Sequence, residues 1–257
     1  MRKRFAYHRN MIAEPSTAIA AALIGVPARA NILGALMDGR ALTASELAYH
    51  AGVSPQTTSS HLSKLADAKL IAVEKQGRHR YYRLAGAAVA EALELLALIV
   101  PQRPVPPRRR SREVEETRAA RFCYDHLAGA LGTGLTEAMQ ARGLLRPAER
   151  DFEVTAAGEA FFRTLGLEPE ALRGLRRAFA RQCLDWSERR PHLAGSLGAG
   201  FARIALERRW IRRAREGRRV FVTPAGQAAF RDLLDFDFAA RAAGLQPAQK
   251  IESGVQT

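Results

Sequence analysis

Between residues 43 and 68 the chain spells two helices joined by a very short turn, and this pairing limits its fold more than any other stretch. Thr43 is placed to cap a helix over 44–51, with Glu46 three residues on completing a capping box. Gly52-Val53 makes a tight turn. Ser54 then caps a second helix, with Pro55 in its first position, where a missing N–H costs nothing. That helix runs to about Ala68. Upstream, residues 17–26 read as a short apolar helix ending near Gly25. Pro27 opens another, which carries Ala30, Ile32, Leu33, Leu36 and Met37 on one face and closes at Gly39. Downstream come two strands, 70–74 and 79–84, with Gln76-Gly77 at the bend. A helix over 87–99 follows, with Val89, Leu93, Leu96 and Ile99 on a stripe. Three helices, a turn, a helix, a hairpin and a helix form the order of a winged helix-turn-helix.

The chain has 257 residues, too many for one winged helix and enough for two small cores. A run of prolines over 101–107, followed by three arginines, cannot be helical and reads as a stiff linker. The expected organisation is therefore a DNA-binding and dimerisation domain over 1–100, a Pro/Arg-rich linker over 101–112, a duplicated effector domain over 113–240, and a tail over 241–257. The expected class is mainly α with small β-hairpin wings, an α+β fold. Lys and Arg outnumber Asp and Glu by 40 to 26, a formal charge of +14 that favours a polyanionic partner without by itself proving one.

Two cysteines exclude a disulfide scaffold and point to a reducing compartment. Arg2, Lys3 and Arg4 ahead of the apolar run 18–26, with Ala28-Arg29-Ala30 after it, imitate a secretory signal. His8, Arg9, Asn10 and Glu14 interrupt that imitation, and the run is needed as the first helix. No stretch reaches the ~20 apolar residues of a membrane span. The expected location is the cytoplasm, with no membrane partner.

The second region contains a repeat. Cys123-Tyr124-Asp125-His126-Leu127-Ala128-Gly129-Ala130-Leu131-Gly132 is echoed by Cys183-Leu184-Asp185-Trp186, which after six extra residues resumes as His192-Leu193-Ala194-Gly195-Ser196-Leu197-Gly198. Each copy leads into a helix and a hairpin-like stretch ending at a capping threonine, Thr155 or Thr223. Two winged-helix-like half repeats packed together are expected.

The helix after Gly52 is the candidate recognition helix. Thr58, Leu62 and Leu65 recur at core spacing. Ser54 at its start, with Gln56, Thr57, Ser60, His61 and Lys64, is left for a major groove, where Gln pairs with adenine and His or Lys reaches guanine or phosphate. The hairpin adds Lys75, Arg78, His79 and Arg80 as backbone or minor-groove contacts. A solvated helix face and a merely soluble hairpin are the plainer alternatives.

Residues 18–84, above all Ser45-Glu46-Leu47-Ala48, His61-Leu62-Ser63-Lys64-Leu65 and Gly77-Arg78-His79-Arg80-Tyr81-Tyr82, resemble the ArsR/SmtB family of metal-responsive repressors. The resemblance implies a homodimer, joined through the first helix and the helix near 87–99. It also implies an inverted-repeat operator in double-stranded DNA and repression relieved by an effector. The whole chain resembles an extended two-domain subgroup carrying the Cys-Tyr-Asp-His and Cys-Leu-Asp-Trp-Ser strings. The family's thiolate pair is absent, since Leu47, Ala48, Tyr49 and His50 stand there, and 87–99 lacks the His or acidic pair of its interface zinc site.

Sensing must therefore lie elsewhere, and the repeat offers Cys123, Asp125, His126, Cys183, Asp185 and His192. An i to i+3 step puts Cys123 and His126 on one face of the expected helix, and a bend at Pro191 can bring His192 to Cys183. Two thiolates and two imidazoles suit zinc, cadmium or lead, with the aspartates as extra ligands or as acceptors orienting the imidazoles. The alternatives are small buried cysteines with bracing histidines, or a reversible Cys123–Cys183 disulfide that senses redox. A Cys/His/Asp enzyme is disfavoured because no oxyanion turn, phosphate loop or metalloprotease motif accompanies these residues. A basic architectural DNA-binding protein without an effector is the other class. Arg208, Arg209, Arg212, Arg213, Arg215, Arg218 and Arg219 suit a solvated hairpin or an auxiliary DNA contact.

Overall fold

The caps written into the sequence start the helices where expected. In a computed structural model describing residues 17–77, 79–99 and 111–244, Thr43 and Glu46 form the full capping box of helix α3, Ala44–Ala51. The Ser54 hydroxyl accepts from the Thr57 N–H to start α4, Pro55–Asp67. Before them lie α1, Thr17–Ile24, and α2, Pro27–Ala35. The expected helix to Gly39 tightens after Ala35 into a 3₁₀ turn, Leu36–Asp38. Ala30, expected on the buried face, is exposed; Ile32, Leu33, Leu36 and Met37 are buried as expected, joined by Ala28 and Arg29.

Strand β1, Leu42–Thr43, joins the hairpin of β2, Ile71–Gln76, and β3, His79–Leu84, in the order β1-β3-β2. Helix α5, Ala87–Ile99, closes this unit. Its core gathers Ile32, Leu33, Leu36, Leu47, Leu62, Leu65 and Leu84. Each such side chain contributes roughly 1.5–3 kcal/mol by leaving water. The expected linker and tail lie largely outside the described residues, and Arg112 already belongs to α6, Arg112–Ala119, capped by Ser111.

The second region begins differently from the helix expected there. Cys123 and His126 lie on strands, in the hairpin of β4, Arg121–Cys123, and β5, His126–Ala128. A two-residue turn takes the chain straight back, so the pair faces across a ladder rather than down a helix. The repeat continues as α7, Gly129–Ala141, then β6, Leu145–Pro147, β7, Phe152–Val154, α8, Ala156–Thr164, and α9, Pro169–Arg173. The second copy follows the same plan. It runs β8, Gln182–Leu184, β9, Pro191–Leu193, α10, Gly195–Glu207, β10, Ile211–Arg213, β11, Val220–Val222, α11, Pro224–Leu234, and α12, Phe238–Ala243.

The halves are interleaved. The first hairpin borders the second copy's distal hairpin through an Arg121–Arg219 bridge, and the second borders the first copy's through Asp151–Arg181. Helix α7 packs on β9 and α10 on β5. Within each copy the helix starts so close to the preceding strand that glycine is required: a Cβ on Gly132 would lie 2.2 Å from the Leu127 carbonyl oxygen, and one on Gly198 2.4 Å from that of Leu193. One core, including Phe122, Leu131, Phe162, Leu197, Phe201 and Phe230, draws on both copies.

Three of the 208–219 arginines, Arg213, Arg218 and Arg219, are rivets, while Arg208, Arg209, Arg212 and Arg215 are exposed. Arg213 donates to the Asp38 carbonyl at 2.8 Å and lies over the Phe122 ring. Arg218 pairs with the buried Glu94 of α5 at 2.7 Å, and Arg219 with Glu116 at 2.9 Å. Arg40 returns a bond to the Gly217 carbonyl at 2.9 Å. Two of these bonds begin on arginines of the distal hairpin and end in the winged unit, so that hairpin joins the two cores.

Candidate nucleic-acid interface and Cys/His centre

On α4, Thr58, Leu62 and Leu65 are buried as their spacing predicts. Gln56, Thr57, Ser60 and Lys64 are exposed together on the opposite side, with His61 half-buried among them. Ser54 is exposed too, but its hydroxyl is engaged by Thr57 N–H at 3.2 Å and Thr57 Oγ1 at 2.9 Å. On the hairpin, Lys75 stands directly opposite Arg80 and Gln76 opposite His79, while Arg78 lies outside the described residues. Like charges directly across a ladder destabilise it, and an anion lying against them removes that penalty.

The geometry of the repeat is sharper. Cys123 pairs with His126 across the first hairpin and Cys183 with His192 across the second. The two hairpins meet so that one donor atom from each of the four residues lies within 4.8 Å of all the others. The sulfurs are 3.9 Å apart and the two Nε2 atoms 3.2 Å apart. A tetrahedral ion with bonds of about 2.3 Å to sulfur and about 2.05 Å to nitrogen needs separations of about 3.8 and 3.3 Å. The two like-donor separations match such an ion, and the sulfur–nitrogen pairs lie within 4.8 Å.

Within the cluster the two sulfurs and the two Nε2 atoms also lie at hydrogen-bond distance. The hydrogen bond to Cys183, with burial behind it, pushes the Cys123 thiol up to about 12. For His126 burial disfavours the charged ring, but Cys123 and the Asp125 carboxylate outweigh it and raise the ring to about 9. The aspartates stand behind the imidazoles. Asp125 reaches His126 Nδ1 at 3.3 Å and is itself gripped by Arg177. Asp185 stands 3.7 Å from His192 Nδ1 and is committed elsewhere: to Arg121 and the Gly129 N–H, both at 2.7 Å, and to Ser187. Burial opposes its charge, yet Arg121 and these donors hold the carboxyl well below the usual range. Neither aspartate belongs to the four-donor group.

The sequence reading did not single out Arg121, Arg177 or Tyr124. Arg121 is fully buried and stacks on Trp186 at 4.6 Å, an unusual place for an arginine that only the Asp185 carboxylate explains. Nothing local in the sequence distinguishes it from the chain's other arginines. A cavity of about 530 Å³ opens beside the centre, with Cys123, His126 and Cys183 on one wall and Ala87, Glu94 and Leu98 of α5 on the other.

Comparison with known proteins agrees with the fold. Residues 24–74 match the model of a helix-turn-helix domain. The chain is 47% identical over 216 residues to the HTH-type transcriptional regulator YdfF of Bacillus subtilis (strain 168), covering 84% of this chain and 96% of that one. The chain belongs to the HTH-type transcriptional regulators. It is a DNA-binding regulator with an N-terminal winged helix. Among solved structures, the regulator is similar to NolR from Sinorhizobium fredii, at 28% identity over 31% of this chain and 79% of that chain, TM-score 0.29. It is also similar to the cadmium metal-sensor CMTR from Mycobacterium tuberculosis, at 32% identity over 35% and 97%, TM-score 0.28. Among the described residues of the regulator, no single helix is long and apolar enough to cross a membrane.

Proposed function

We propose that this protein is a cytoplasmic, homodimeric repressor of the ArsR/SmtB type whose DNA binding is set by a thiophilic metal ion held by Cys123, His126, Cys183 and His192. The observation that carries this reading is the convergence of those four donors at tetrahedral spacing from hairpins about sixty residues apart in the chain. Zinc, cadmium and lead all suit two sulfurs and two imidazoles. Asp125 orients the His126 ring from behind, which favours the tautomer that leaves its Nε2 free to ligate. The adjacent cavity gives an ion a path to the centre. The Gln56, Thr57, Ser60, His61 and Lys64 face reads the major groove of an inverted repeat, with Lys75, Arg78, His79 and Arg80 on flanking DNA. Dimerisation runs through α1 and α5, whose Ile19, Leu95, Leu96 and Ile99 are exposed apolar side chains.

The test is the metal content of anaerobically purified protein beside a Cys123→Ser, Cys183→Ser double variant, followed by DNA titration with and without metal. Stoichiometric zinc or titratable cadmium, lost in the variant and altering DNA affinity, is the expected result. Absence of metal binding under reducing conditions overturns it. A thiol-oxidant response of DNA binding would then favour the second reading, a reversible Cys123–Cys183 disulfide, which the 3.9 Å sulfur separation permits after a small closure.

A further inference from the structure

We infer that the Cys/His centre governs the DNA-binding domain through Tyr124, the turn residue between two of its donors; this rests on the centre being the effector site. Tyr124 and Asp125 form the whole turn between Cys123 and His126, so no slack separates the donors from the tip of the hairpin. That tip is seated in the winged domain. The Tyr124 N–H donates to the Met37 carbonyl at 2.6 Å, and its ring packs against the core that holds Met37, Leu62 and Leu65.

The fit is close on both sides. A Cβ on Gly39 would lie 2.7 Å from the Tyr124 carbonyl oxygen. Tyr124 itself takes φ 61°, as the first position of a two-residue hairpin turn demands, although a bulky residue pays strain for it. The second repeat provides an internal control. Its corresponding residue, Leu184, is exposed, and its loop is six residues longer and turns inward onto Arg121. Duplication alone therefore does not explain the seating of Tyr124.

Ligation replaces the S–H···S and N–H···N bonds of the centre and resets the cross-strand angle of Cys123 and His126. With two residues between them, that change must move Tyr124 against Met37 and Gly39. Met37 shares a core with the buried face of α4, so the two ligation states favour different placements of the recognition helix. An effector shifts that equilibrium only by its preference for one placement, and the coupling is reciprocal.

The experiment uses full-length protein, cadmium(II) as the probe, and a duplex selected by the wild type from a random pool. Cadmium binding is read by thiolate-to-metal absorption and DNA affinity by anisotropy. In the wild type, cadmium should change DNA affinity about 5–150-fold, the usual range of allosteric coupling. Tyr124→Ala should bind cadmium within about twofold of wild type while its DNA response falls below about twofold. Tyr124→Phe, which keeps the ring, and Leu184→Ala, at the unseated position, should keep the full response. If Tyr124→Ala is too unstable to assay, Gly39→Ala presses on the same contact from the other domain and should also blunt the response. A full response in Tyr124→Ala or Gly39→Ala overturns the relay and leaves the effector site standing. A wild type that ignores cadmium overturns both, and does so before any substitution is made.

Discussion

His126 Nε2 lies 3.2 Å from His192 Nε2, although 66 residues separate the two in sequence. At that distance one ring can donate to the other, or both can turn a lone pair to a shared ion. The Cys123–Cys183 contact repeats the arrangement with sulfur. The centre is a closed set of four donors, and each side chain comes from a different strand.

Metal affinity should therefore rise with pH. The protonated forms of Cys123, up to about 12, and His126, about 9, are favoured in the ion-free centre, so both protons must leave when an ion enters. Below those values each displaced proton makes apparent affinity rise about tenfold per pH unit. Competition titrations with zinc between about pH 6 and 8 measure the slope. A flat profile would contradict the raised values of Cys123 and His126.

Gln56→Ala and Lys64→Ala should weaken DNA binding by different routes. Gln56, reading a base edge, should cost about 1–3 kcal/mol on the selected sequence and relax the preference at one position. Lys64, on phosphate, should weaken all sequences alike and lower the salt slope by about one. Both are exposed, so thermal unfolding should be unchanged. Equal loss from both with an unchanged salt slope would sink the assignment of roles along α4.

Asp185→Asn should destabilise the protein by about 3–5 kcal/mol, because it leaves Arg121, fully buried, without its counter-charge. The depressed Asp185 carboxyl also sets the direction with pH. Its contribution is present above the unfolded value near 4 and is lost as pH falls below that value. Removing both charges, Arg121→Met with Asp185→Leu, should recover part of the loss. Denaturant melts of the three proteins decide the matter, and a mild Asp185→Asn would show the pair to be dispensable.

A Leu95→Glu, Ile99→Glu double variant should be monomeric by light scattering and should bind the selected duplex more weakly. These side chains are 54% and 75% exposed on a helix whose only polar residues are Glu91 and Glu94, and burying a further carboxylate against a second copy is costly. A variant that stays dimeric would move the interface off α5.

Much of the winged domain is legible in its sequence because local chemistry dictates it. Thr43 with Glu46, and Ser54 with Pro55, start α3 and α4 from within four residues, and the spacing of Thr58, Leu62 and Leu65 orients α4. The duplicated Cys, Asp and His were legible as a group, but their secondary structure was not. Cys123 and His126, three apart, satisfy helical spacing, and they equally satisfy the facing pair of a tight hairpin. The choice fell to the hairpin because Arg219 of the other copy bridges to β4 and α10 packs on β5.

The sequence by itself determined the cap-defined helices, the order of the winged helix-turn-helix and the existence of a repeat, all of which depend on neighbours within a few residues or on self-similarity. Only the tertiary structure decided that the four donors share one centre, that Arg121 is the buried partner of Asp185, that Arg213 and Arg218 join the cores, and that Tyr124 is seated beside Met37. The reason is physical. These contacts join residues tens to more than a hundred positions apart, and their energies come from burial and from matched charges that exist only once two interleaved copies have closed over them.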